Sequence, residues 1–117
     1  MKPLVLVVVA AAAFVGCGSG TTPVAYCNNF QSELCVRVFE CTDPPPPDPS
    51  FYGTSVADCQ AMLKAKSCAT ASNSQPCAFG ASFHADKADA CVADLKAASC
   101  AAINAGFNSD NCTSVCS

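Results

Sequence analysis

Apolar positions fall into four blocks along the chain. An unbroken apolar run extends from Leu4 to Val15. It is shorter than the roughly 20 residues that a bilayer-spanning helix needs. Behind the single positive charge of Lys2, it has the length of the apolar region of an export signal. After a Gly/Ser/Thr segment, Tyr26, Phe30, Leu34 and Val38 recur at every fourth position and share one face of a helix. Thr22 stands at its N-cap and Pro23 at its first position, which predicts a helix over about 23–40. Pro44 to Pro47 exclude helix and predict an extended polyproline connection. Ser55 followed by Asp58 has the spacing of a capping box, and Val56, Cys59 and Leu63 continue on one face, predicting a second helix over 55–68. Asp86 and Asp89 open a third, over 86–103, carrying Cys91, Val92, Leu95 and Ala102 and stopped by Asn104-Ala105-Gly106.

The second and third helices repeat one another. Residues 55–69 align with 87–101 at identical Cys, Leu, Lys and Ser positions: Cys59 with Cys91, Leu63 with Leu95, Lys64 with Lys96, Ser67 with Ser99, Cys68 with Cys100. Each copy is a helix with one cysteine near its start and another at its end. Two copies are too few for a solenoid and point to two equivalent helices in one bundle. Residues Asn108 to Ser117 form a loop or helical turn around Cys112 and Cys116.

The cysteines change this picture most. The chain has 11 in 117 residues. Setting aside Cys17, at the end of the export signal, leaves an even set: Cys27, Cys35, Cys41, Cys59, Cys68, Cys77, Cys91, Cys100, Cys112 and Cys116. A dense, even set behind an export signal is a disulfide framework in an oxidising compartment. The large apolar side chains of the exported part are few, and alanine buries little area. A thin core of this kind needs covalent help. The expected fold is all-α: a small disulfide-stapled bundle of about three main helices, with the two-copy repeat inside it. Nine residues of helix rise about 13.5 Å, so neither Cys59–Cys68 nor Cys91–Cys100 can form within a helix. Two pairings fit the repeat. In one, local bridges Cys68–Cys77 and Cys100–Cys112 leave Cys59 and Cys91 to reach the first helix. In the other, a nested hairpin joins Cys59–Cys100 and Cys68–Cys91.

Charge and candidate chemistry add little. Without Lys2 the chain has five basic and nine acidic side chains, which gives no electrostatic footprint for nucleic acid. His84 is the one histidine; with Asp86 and Asp89 it makes a poor zinc site and reads as a solvated helix start. No nucleophile elbow and no C-x-x-C motif occurs, and no catalytic residue, metal site or cofactor is assigned. Asn111-Cys112-Thr113 matches a glycosylation sequon. Phe51, Tyr52, Phe79, Phe83 and Phe107 lie in loops or at helix edges. They either plug the ends of the bundle or line an apolar pocket. Adjacent Cys-Cys and Cys-x-Cys elements, which the plant lipid-transfer proteins require, do not occur.

Phe14-Val15-Gly16-Cys17 resembles the lipobox of bacterial lipoproteins, with Phe14 in place of the usual leucine. The resemblance implies a diacylglyceryl group on the Cys17 sulfur, cleavage before it, a signal peptide over 1–16, a lipidated cysteine and tether over 17–22, and a disulfide-rich helical domain over 23–117. Gly18, rather than aspartate, follows the cysteine, which implies the outer membrane in a Gram-negative host. The alternative is plain secretion. The signal, the spacing of Tyr26-Cys27 and Cys35, and the C-x₈-C helices at Cys59 and Cys91 together resemble the small cysteine-rich lipoproteins of myxobacteria. The expectation is a non-enzymatic, lipid-anchored envelope protein whose partner is the membrane. A secreted or periplasmic carrier of a small apolar ligand is the alternative.

Overall fold

The computed structural model describes residues 20–117. Six helices follow in order: α1 Pro23–Cys41, α2 Pro49–Tyr52, α3 Val56–Ser67, α4 Ala85–Ala97, α5 Cys100–Asn104 and α6 Asp110–Thr113. The fold is all-α with three main helices, and β pairing among the described residues is limited to the isolated bridge Phe83–Cys116. The expected signal, Cys17 and the first two residues of the tether, together residues 1–19, lie outside the described residues.

The local sequence explains the helix ends. Thr22 accepts from the Ala25 amide at 3.2 Å and Pro23 takes the first helical position of α1. Ser55 accepts from the Asp58 amide at 3.1 Å at the start of α3. Asp48 caps α2 through Ser50, at 2.9 Å to its amide. Each such bond satisfies a backbone donor that the helix itself leaves free. Past α5, Gly106 adopts a φ of 88°, the left-handed stop its type allows.

α1 is the axis of the bundle, packed against both α3 and α4. Its apolar stripe does most of its burying against α4. One core cluster joins Val38, Leu95 and Ile103, with Phe30, Leu34, Tyr52 and Phe107 around it. The other joins Ala88, Cys91 and Val115, with Tyr26, Phe30 and Phe83 around it. Along α4 the buried residues Ala88, Cys91 and Leu95 fall on one face at helical spacing. α3 differs: Cys59 is its one buried residue. Two disulfides and a hydrogen bond from Gln60 Nε2 to the Ser32 carbonyl, at 3.2 Å, fasten it to α1.

All ten cysteines are paired. Cys27–Cys68 and Cys35–Cys59 staple α3 antiparallel to α1, with Cα separations of 5.8 Å in each. Cys41–Cys100 ties the far end of α1 to the start of α5, at 5.0 Å. Cys91–Cys112 joins α4 to α6, and Cys77–Cys116 joins the α3–α4 connection to the carboxy-terminal segment.

Neither pairing expected from the repeat forms. α3 runs antiparallel to α1 and α4 runs parallel to it. The second cysteine of each copy therefore reaches an opposite end of α1, Cys68 at Cys27 and Cys100 at Cys41. Cys59 does reach α1, whereas Cys91 turns away to Cys112. The nested hairpin needs α3 against α4, and α1 lies between as the shared partner.

Two further expectations are corrected. The helix expected over 86–103 is broken. Ala98 is extended, with ψ 143°, and Ser99 caps a separate α5 through the Ala102 amide. The Ala98 carbonyl is held by Arg37 Nη2 at 2.6 Å, and the Cys41 bridge draws Cys100 towards α1. The break buries Ile103 and leaves Ala102 exposed. Residues 43–46 bend instead of running extended, and Pro47 is buried.

Candidate functional site

The candidate site lies at the amino-terminal end of α1. The α3–α4 connection is laid across this end. The Val24 amide donates to Asn73 Oδ1 at 3.0 Å, which fixes the connection to the first turn of α1. Further along, the Cys77–Cys116 bridge holds it covalently. Ser82 and Ser117 then exchange backbone hydrogen bonds of 2.9 and 3.1 Å, and the His84 amide donates to the Val115 carbonyl at 2.8 Å.

Between helix end and connection lies a half-open cleft of about 290 Å³. Pro23, Tyr26, Phe83 and Val115 supply its apolar wall, and Ser67, Thr70, Ser72 and Gln75 its polar one. None of its lining residues is charged. Ligand pockets for drug-sized molecules start at about 300 Å³ and enclose most of the ligand. The cleft thus suits a small neutral group, not an acyl chain.

Tyr26 sits at the boundary of cleft and core. Its ring packs at 6.1 Å from both Phe30 and Phe83. Its hydroxyl lies 3.3 Å from Cys91 Sγ, and because a disulfide sulfur has no proton, the phenol donates. Burial disfavours the phenolate and raises the Tyr26 pKa above the ordinary 10.0.

No known protein family, characterised protein or solved structure matches this chain.

His84, Asp86 and Asp89 are at the start of α4, but they serve separate ends. His84 is the N-cap residue and makes no side-chain capping bond. Asp89 accepts from the Thr21 hydroxyl, tying α4 to the residue that precedes the α1 cap. No cluster of three or more metal-ligating side chains occurs among the described residues. At the other end of α4, hydrogen bonds from Asn111 and Ser109 hold the Asp94 carboxyl below the usual carboxylate range, a structural tie to α6. Cys17 lies outside the described residues.

The five loop aromatics divide. Tyr52 and Phe107 pack on one core cluster and Phe83 on the other, as end plugs. Phe51 is 61% exposed and Phe79 is 103% exposed. Phe83 alone of the five lines the cleft beside Tyr26. Phe79 occupies a tight turn in which the Ala81 amide donates to the Ala78 carbonyl at 3.0 Å and Gly80 supplies a φ of 87°. That is the geometry of a type II turn with glycine at its third position. Its signal was present in the sequence: a phenylalanine followed by glycine, inside a stretch from Ser67 to Phe83 with no charged side chain.

Proposed function

We propose that this chain is a non-enzymatic, lipid-anchored protein of the bacterial cell envelope, held in the membrane through acyl chains on Cys17. One observation carries the reading: an apolar run of export-signal length ends in Gly16-Cys17, and the remaining ten cysteines are all consumed in bridges. Cys17 is the odd cysteine, and acylation gives it a chemical role. Each buried lipid CH₂ contributes about 0.8 kcal/mol, so two or three chains anchor a domain of this size firmly. The Gly18 that follows supports the outer membrane as the destination. The folded domain begins at Pro23, so the connection to the anchor is short.

The test is metabolic labelling with a clickable fatty acid. The wild type takes up label and fractionates with membranes, and Cys17→Ala does neither. An unlabelled wild type in the culture fluid overturns the reading in favour of a secreted protein. The cleft beside Tyr26 and Phe83 favours the carrier alternative. Native mass spectrometry of the folded domain decides that point: a co-purifying small apolar ligand supports a carrier, and an empty mass removes it.

A further inference from the structure

We propose that the Phe79 turn is a second point of membrane contact, an aromatic tip that enters the lipid headgroup region and sets the orientation of the anchored domain. The proposal rests on the lipid anchor at Cys17.

Three observations converge on this turn. First, Phe79 is fully exposed on a rigid support. The Cys77–Cys116 bridge precedes it, the Ser82–Ser117 and His84–Val115 backbone bonds follow it, and the turn bond Ala81–Ala78 closes it. A large apolar side chain held in water at the tip of a pinned turn has no role in the core of this fold. Second, its neighbours suit a lipid interface. The connection from Ser67 to Phe83 has no charged side chain, although the protein as a whole is acidic. A phenylalanine ring among small and hydroxylated residues, with no charge beside it, can enter the boundary between headgroups and acyl chains, where interfacial helices also bury Phe, Trp and Leu.

Third, the turn lies where the chain enters the membrane. Asn73 and Pro76, upstream of Phe79, and Phe83, downstream, all meet the first turn of α1 or line the cleft with Pro23. Residues 18–22 join that helix start to Cys17, and five residues reach at most about 18 Å even when fully extended. The anchored end of the domain is therefore held close to the bilayer, with Phe79 at that end. Phe51, the other exposed aromatic, is at the opposite end. Its neighbour Tyr52 packs on the core cluster of Val38, Leu95 and Ile103, and Val38 lies about 22 Å of helix beyond Pro23.

The contribution is to orientation. Multiple acyl chains already outweigh a single ring in affinity. A single chain attachment leaves the domain free to tilt, and a second contact at the same end restricts it.

The chain has no tryptophan, so Phe79→Trp and Phe51→Trp each introduce one reporter at a fully or largely exposed site. The lipidated full-length protein, purified from membranes, is reconstituted into phosphatidylethanolamine–phosphatidylglycerol vesicles containing brominated acyl chains. The expected result is blue-shifted emission for Phe79→Trp with quenching several-fold greater than for Phe51→Trp. Proteins that float with the vesicles but show no quenching at position 79, or equal quenching at both positions, overturn the membrane contact and leave the anchor standing. A wild type that does not float overturns the anchor, and the contact falls with it.

Discussion

Removing the two staples of α3 should free that helix and spare the rest of the fold. The perturbation is the replacement of Cys27, Cys35, Cys59 and Cys68 by alanine. The Cys35–Cys59 loop spans 24 residues, which in the chain-entropy model corresponds to about 3.5 kcal/mol. With that inner bridge closed, the outer Cys27–Cys68 bridge closes a remaining loop of about 18 residues, worth about 3.2 kcal/mol. The pair therefore contributes about 6–7 kcal/mol to holding α3 on α1, comparable with the whole stability of many small domains. Against this α3 has little of its own. Val56 and Leu63 are only half-buried, and twelve residues is marginal for an isolated helix. The packing of α1 against α4, α5 and the carboxy-terminal segment keeps Val38, Leu95, Ile103 and Val115 and the three remaining bridges. Each of those buried aliphatic side chains is worth about 1.5–3 kcal/mol. Native-state hydrogen exchange resolves the two parts. In the four-alanine variant the amides of α3 should exchange at nearly unfolded rates, while those of α4 around Leu95 stay protected. Retained protection in α3 would show a noncovalent hold that burial does not account for. Loss of protection in α3 and α4 together would show one cooperative unit and refute the division.

Two smaller tests address local geometry. Gly53 has φ 67° and ψ −164°, a region open essentially to glycine, and a Cβ there would lie 2.8 Å from Asp58 Cβ at the start of α3. Gly53→Ala should cost about 2 kcal/mol in thermal or denaturant unfolding, against a smaller cost for Gly80→Ala, where a Cβ meets nothing, and an unchanged stability would discount the contact. In a Tyr52→Phe background, the tyrosinate absorbance should report Tyr26 ionising above 10.0, because burial favours the neutral phenol. A raised folded pKa makes this contribution to stability complete below the unfolded value, with loss as pH rises through the folded one, so Tyr26→Phe should flatten the alkaline limb of a stability–pH curve. A Tyr26 that ionises at its ordinary value would place the ring in water.

What the sequence makes legible follows from its periodicities. The stripe of Tyr26, Phe30, Leu34 and Val38 defines α1 and both of its core contacts. Thr22 and Ser55 mark two helix starts through side-chain chemistry that acts within three residues. Bridge pairing was not legible. Helical rise eliminates pairs within a helix, but the direction in which α3 and α4 run along α1 is set by connections that have no periodic pattern. The break at Ala98 was partly legible. Ser67-Cys68-Ala69 recurs as Ser99-Cys100-Ala101, and the first copy ends its helix at Ser67. Applied to the second copy, the same rule places the end before Cys100, as found. The alanine-rich surroundings, strong in helix propensity, hid it. The candidate site was the least legible part. Phe79 and Phe83 look alike in sequence, and only tertiary packing makes one a plug and the other a tip.

The most direct test of the anchored, fully bridged protein is the intact mass of the wild type extracted from membranes, followed by fragmentation of its amino terminus. The account predicts a chain that begins at Cys17, carries diacylglyceryl and acyl groups on that residue, and lacks the ten hydrogens that five bridges remove. A mature chain with an unmodified Cys17, a chain that begins elsewhere, or a mass that retains thiol hydrogens would contradict it.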